Sequence, residues 1–302
     1  MTVRITKGQK DQYIAEMVDS ARKKSQWLDI WRRLLRNRLG MIGLIIVVIL
    51  LLLILGANLF TWHDPGVPDF ENRFAYPNPN NLLGTDNLGR DLWSRMLYGG
   101  RVSLMVAVVA VFLSSCTGII LGAIAGYTGG KTDLIIMRIC DVLMAIPALL
   151  LAVAVGFALG TGPINTAIAI AIPGITPSLR LIRSTVMAIK GNEFIEAARA
   201  GGSKHIRVIF VHVIPNTIAP LIVNASLSIS GSIMAISGLS FVNLGVQPPT
   251  PEWGSILANG RSYILSFWPI IVFPALFIAL TLFGFNLLGD GLRDALDPRL
   301  KD

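Results

Sequence analysis

Charge is what this sequence has least of. Asp, Glu, Lys and Arg make up 15% of its 302 residues, against about a quarter in soluble domains. Two stretches, 142–179 and 208–251, contain none of the four. Such runs exclude a soluble globular protein, and no long segment between them is left to house a soluble catalytic domain. Cysteine is nearly absent: Cys116 and Cys140 both fall in or beside apolar segments, where they read as small packing residues and not as a disulfide or a metal pair. The three histidines, His63, His205 and His212, show no metal-ligand spacing. No H-E-x-x-H, G-x-S-x-G or paired aspartates lie in the apolar runs, so a membrane-embedded protease or transferase lacks its machinery. Gly130-Lys131-Thr132 ends like a phosphate-binding loop. Ala125 stands where the first glycine of that loop belongs, and the segment follows a membrane helix, not a strand. It reads as a tight turn, and the chain holds no nucleotide site.

Hydrophobic residues, 53% of the chain, fill the space that charge leaves. Their runs predict an all-α, polytopic helix bundle with six transmembrane helices. Residues 1–38 form a basic segment in which Trp27, Leu28, Trp31, Leu34 and Leu35 recur at helical spacing among Arg32, Arg33, Arg36 and Arg38. This predicts an amphipathic helix in the inner interface, tryptophans at headgroup level and arginines toward anionic lipid. Residues 39–60 are the first span, long enough for a bilayer core of ~30 Å, and no small-residue cleavage site marks them as a removed signal. A polar connection, 61–101, carries Pro65, Pro68, Pro77 and Pro79. Within it Asp86, Arg90, Asp91 and Arg95 are spaced to cap a helix and pair along it.

The main transmembrane domain is expected over 102–289. Its first span, 102–127, has Gly118, Gly122 and Gly126 four apart, a face that lets another helix approach closely. Arg138 and Asp141 are spaced to pair where the next span, 142–159, enters the bilayer. The fourth, 164–178, looks short and broken by Pro173 and Pro177, whose freed carbonyls need a partner or a wet cavity. The fifth, 208–240, contains Pro215, Asn216, Pro220, Asn224 and the small residues Ser226, Ser228, Ser230, Gly231 and Ser232. Asn216, Asn224 and Ser228 are candidates for a translocation path, because polar groups in a bilayer face protein or a pore. Hydrogen bonding between helices is the alternative for the two asparagines. An outer loop, 241–267, leads to the sixth span, 268–289, and a tail, 290–302. With both termini in the cytoplasm, 21 of the 26 Lys and Arg fall on the inner side and five on the outer. The net charge of +8 is therefore the positive-inside bias of a membrane protein and needs no nucleic acid.

One polar stretch, 193–216, interrupts the apolar chain. Glu193, Ile195 to Ala198 and Ala200 favour a short helix, and Gly201-Gly202 can end it. It lies in the cytoplasmic loop 190–207, either as an anchor between two spans or as a docking element. Glu196-Ala197-Ala198, three residues, Gly202, nine residues, then His212, a spacer, Ile214 and Pro215 resembles the EAA signature of ABC-importer permeases. His212 and Ile214 replace the family's usual Ile and Leu, both beyond the docking part. Three further strings resemble the C-type permeases of the dipeptide/oligopeptide/nickel branch: residues 82–104, GVQPPTPEWGSIL at 245–257 and GDGLRDALDPRLKD at 289–302.

The resemblance implies a type I ABC-importer permease fold in the cytoplasmic membrane. It assigns ATPase coupling to Glu196, Ala197, Ala198, Gly202, Ser203 and Pro215. The implied partners are a second permease subunit in a heterodimer, two cytoplasmic ATPase subunits carrying ATP and Mg, and an extracytoplasmic substrate-binding protein. This chain would have no cofactor or catalytic residue of its own. The implied cargo is di- or oligopeptide, with glutathione or a nickel chelate as alternatives. An ion-driven secondary transporter is the rival of another class. That class tends to place ionisable residues near the midplane and to show internal repeats, whereas the acidic residues here sit at span ends or in loops.

Overall fold

The computed structural model describes residues 26–296. The basic residues before Gln26 and the end of the tail after Leu296 lie outside the described residues. Among the described residues the secondary structure is helical, apart from one isolated bridge between Thr85 and Asp91. Helix α1 (Gln26–Arg36) is the expected amphipathic helix, with Leu28, Trp31 and Leu35 exposed and Leu34 buried. Asn37 turns the chain into α2 (Arg38–Leu55). Its Oδ1 accepts from the Gly40 amide at 2.9 Å, and its Nδ2 donates to Asp294 at 2.8 Å. The N-terminal helices are thereby pinned to the far end of the chain.

Five segments are long and apolar enough to cross a membrane: α2, α3 (Leu92–Thr128), α6 (Pro163–Ile189), His205–Phe241 and α10 (Pro269–Leu296). A sixth exists only if α4 (Gly130–Met144) and α5 (Ala148–Leu159) count as one span, and they are bent by 90° to each other. At 1.5 Å per residue, α5 alone reaches about 18 Å, short of a ~30 Å core. The break follows from Pro147, which opens α5 and pushes the residue before it away from helical backbone.

Helix α3 packs against α6 as the most extensive helix pair, and the glycine stripe is the reason. A Cβ at Gly118 would lie 2.6 Å from the Ser178 Cβ, one at Gly122 2.6 Å from the Leu179 carbonyl oxygen, and one at Gly126 2.8 Å from that of Arg183. No side chain fits at these positions, so the two backbones touch. Helix α2 packs on α10, and α8 (Ile218–Phe241) lies among α3, α6 and α10.

Several element boundaries differ from the sequence expectation, each for a local reason. Helix α3 begins at Leu92, not 102, because Asp91 caps it: one carboxylate oxygen accepts from the Ser94 amide at 2.8 Å. Asp91 caps as expected, but the pairing does not run along the helix: Asp86, in the turn before it, pairs with Arg90 at 2.7 Å and with Arg95 at 3.4 Å, all three buried. Helix α6 is neither short nor broken. It runs through Pro173 and Pro177 to Ile189, since each proline forfeits one hydrogen bond while the contact with α3 holds the rest of the helix. Asp141 pairs with Arg180 at 2.6 Å across helices, and not with Arg138. The loop 241–267 folds in part as α9 (Trp253–Gly260), and α10 continues past 289 to Leu296.

Candidate coupling segment and translocation cavity

The stretch singled out in the sequence forms α7 (Glu193–Ala200). Glu193 and Glu196 lie in its first turn and Arg199 in its last, the order the helix dipole favours. Its end is a Schellman motif. The Ser203 amide donates to the Ala198 carbonyl at 3.1 Å and the Gly202 amide to the Arg199 carbonyl at 2.9 Å. Gly202 takes φ +79°, and a Cβ built on it would meet nothing within 4 Å. The glycine is demanded by backbone conformation, and the space beside it is open. Ile195 is fully buried and Ala198 is partly buried against the same cluster, while Glu196, Ala197, Arg199, Ala200, Gly201 and Gly202 are exposed. The exposed surface thus combines small residues, the charged Glu196 and Arg199, and the half-exposed Phe194.

Pro215 sits further on, exposed, in a 3₁₀ turn (Ile214–Thr217) that follows a π-helical stretch (Val208–Val213). A proline cannot donate to the carbonyl four residues back and clashes with it, so the chain widens before it and tightens at it. The segment from His205 to Phe241 is thus wound three ways before α8 begins.

Beneath α7 lies a small buried cluster that includes Ala123, Tyr127, Ile182, Val186, Ile195, Val208 and Val213. Tyr127, at the end of α3, is its polar centre. Arg199 Nε donates to the Tyr127 hydroxyl at 3.1 Å, and the same hydroxyl is 3.2 Å from His205 Nδ1. The Arg199 guanidinium lies 4.8 Å over the phenol ring, and the His205 ring meets it edge-on at 5.7 Å. Arg183 grips Asp133 with two bonds, at 2.5 and 2.6 Å, and Lys190 Nζ reaches the Gly126 carbonyl at 3.4 Å. The ends of α3, α4, α6 and α7 are tied together here. Sequence reasoning missed Tyr127, because an aromatic residue before a glycine turn is indistinguishable from a headgroup anchor.

A cavity of about 890 Å³ opens between α3, α5, α6, α8 and α10. Among the described residues its polar side chains are Ser114, Ser228, Ser232 and Ser237; Pro173, Gly174 and Pro177 of α6 form part of the wall. Ser228 lines this cavity. Asn216 and Asn224 are not among its lining. Asn216 Nδ2 donates to its own segment's His212 carbonyl at 2.6 Å, and Asn224 Nδ2 bridges to Ser178 of α6 at 3.3 Å.

Above the cavity, α9 is held by one carboxylate. Glu252 is buried and accepts from the hydroxyls of Ser103 (2.9 Å, α3) and Ser240 (2.8 Å, α8). It also accepts from the amides of Gly254 and Ser255, at 2.8 and 2.7 Å. The neighbouring Trp253 donates its indole N–H to the Met96 carbonyl at 2.7 Å. The signal for this lock, Pro251-Glu252-Trp253 in an uncharged stretch, was present, but nothing local says which helices its carboxylate joins.

Comparison with known proteins agrees with this geometry. Residues 118–302 match the family described as binding-protein-dependent transport system inner membrane component. Residues 25–81 match the N-terminal TM domain of oligopeptide transport permease C. The chain is 42% identical to the dipeptide transport system permease protein DppC of Alkalihalophilus pseudofirmus, over 92% of this chain and 91% of that one. It is 43% identical to the di/tripeptide transport system permease protein DppC of Pseudomonas aeruginosa, over 91% and 92%. Against the glutathione transport system permease protein GsiD of Escherichia coli O6:K15:H31 the identity is 42%, over 92% of both. In shape it is similar to the MetNI methionine ABC transporter solved in inward-facing conformations, with a TM-score of 0.56 at 16% identity, covering 68% of this chain and 98% of that chain. The bundle of apolar helices and these relatives agree on one assignment: the chain belongs to the family of binding-protein-dependent transport system inner membrane components, in the branch that carries the N-terminal domain of oligopeptide transport permease C.

Proposed function

We propose that this chain forms half of the translocation path of an ATP-driven importer of di- or oligopeptides, and that α7 is its contact with a cytoplasmic ATPase. The observation that carries the coupling role is the exposed face of α7, where small residues leave open space around Gly202. Glu196, Ala197, Ala198, Gly202 and Ser203 shape that face, and Pro215 sets the joint between it and α8. ATP and Mg are held by the partner ATPases, of which there are two. A related permease supplies the other half of the path, and an extracytoplasmic binding protein delivers cargo. Both termini lie in the cytoplasm.

The cavity supports a conducting role over a selecting one. Its wall has four hydroxyls and no charged side chain, so it offers a peptide's charged termini no counter-ion. Selection then belongs to the binding protein. Two of the relatives are named for di- or tripeptides and one for glutathione, so small peptides, glutathione among them, are the favoured cargo class. The test is reconstitution of the full complex in liposomes with its binding protein. Dipeptide or tripeptide should stimulate ATP hydrolysis and accumulate inside. Stimulation by a nickel chelate with no response to any peptide would overturn the cargo class, and accumulation driven by an ion gradient without ATP would overturn the mechanism.

A further inference from the structure

We infer that Tyr127 is the residue through which the coupling helix positions the translocation helices. This rests on the coupling role proposed for α7. Helix α7 is short, and its apolar hold on the bundle is Ile195, fully buried, with Ala198 partly buried beside it. Apolar contact of that size transmits position poorly, because it is non-directional. Tyr127 adds direction. Its hydroxyl accepts from Arg199 at 3.1 Å and lies within hydrogen-bond reach of His205 Nδ1 at 3.2 Å, and the guanidinium rests 4.8 Å above its ring. The residue thus holds both ends of the α7 turn, Arg199 before the two glycines and His205 after them.

What Tyr127 is attached to makes the contact mechanical. It closes a continuous 37-residue helix, about 55 Å long, whose glycine stripe fuses it to α6. The same helix lines the cavity with Ala110 and Ser114 and, through Ser103, bonds Glu252 of the outer closure. A shift of α7 acting on Tyr127 therefore moves α3 and α6 as one body, and reaches the cavity wall and the outer lock along a single rigid element. Tyr127 is a positioning residue and touches neither cargo nor ATP.

The experiment uses the complete complex in liposomes with loaded binding protein, comparing Tyr127→Phe, Arg199→Lys and the double variant. Tyr127→Phe keeps the buried ring and loses only the hydroxyl, so folding is preserved, and ATPase retention on pull-down should be normal. The ratio of cargo-stimulated to unstimulated ATP hydrolysis should fall about 2- to 10-fold, the range for a lost hydrogen bond, with uptake falling in parallel. The double variant should be no worse than the more affected single one, since both act through one contact. An unchanged ratio in Tyr127→Phe with ATPases retained overturns the inference while leaving the coupling role of α7 standing. Additive losses in the double variant would also overturn it. If Gly202→Asp, run alongside, keeps its ATPases and its stimulation, the coupling role itself falls and the inference falls with it.

Discussion

At the scale of single residues, the chain separates groups that hold the fold from groups that present a surface. Glu252 is of the first kind. Replacing it by Ala orphans two hydroxyls and two amides in a buried site, a loss on the order of 3 kcal/mol or more. Thermal unfolding of the purified permease pair should show a clear drop for Glu252→Ala, with Glu252→Gln between it and wild type. Equal melting of Glu252→Ala and wild type would remove α9's lock from the account. Glu196 is of the second kind. It is exposed in the first turn of α7, so Glu196→Ala forfeits only a dipole contact of roughly 0.3–1 kcal/mol and should leave permease levels in the membrane unchanged. Ser228 lines the cavity. Ser228→Leu should slow uptake of all accepted peptides alike, and a changed order of preference among peptides would show selection inside the membrane.

At the scale of elements, the glycine stripe makes the sharpest claim. Gly122→Leu would drive a side chain into the Leu179 carbonyl; overpacking of this kind costs about 1–3 kcal/mol and should lower both the yield and the melting temperature of the complex. Normal yield and melting would mean α3 and α6 are not fused. This stripe and helix α7 were legible in the sequence because each signal is local: glycines four apart, or a helix-prone run ended by two glycines. The helix bounds were less legible where a distant partner decides them. Helix α6 survives Pro173 and Pro177 because α3 lies against it, and the 90° bend between α4 and α5 answers to Pro147 in a run that composition alone reads as one span. Local spacing offered Arg138 as the partner of Asp141, and the packing of α4 on α6 brings Arg180 there instead. The path asparagines show the same limit. Asn224 was open to either role, and its bridge to Ser178 lies between helices, off the cavity.

At the scale of the whole molecule, the account describes a lever. In the proposed function the Gly202 surface would meet a cytoplasmic ATPase and Tyr127 would pass its position to the pair α3 and α6, along which the cavity and the Glu252 site lie. The arrangement requires α7 and the α9 loop on opposite sides of the membrane. Single cysteines at Lys204 and Thr250, both exposed, should be labelled by an impermeant reagent from opposite faces; labelling from the same face would break the topology. The central claim, that α7 is the ATPase contact, is tested most directly at Gly202. Its left-handed backbone makes any side chain cost about 1–2 kcal/mol, and the empty space beside it means that a larger group would meet only a docked partner. The measurement is pull-down of the ATPase subunits with Gly202→Asp, alongside uptake in the same membranes. The account predicts normal permease insertion with ATPases lost, or retained but unresponsive to cargo, and uptake abolished; full ATPase retention with normal uptake would contradict it.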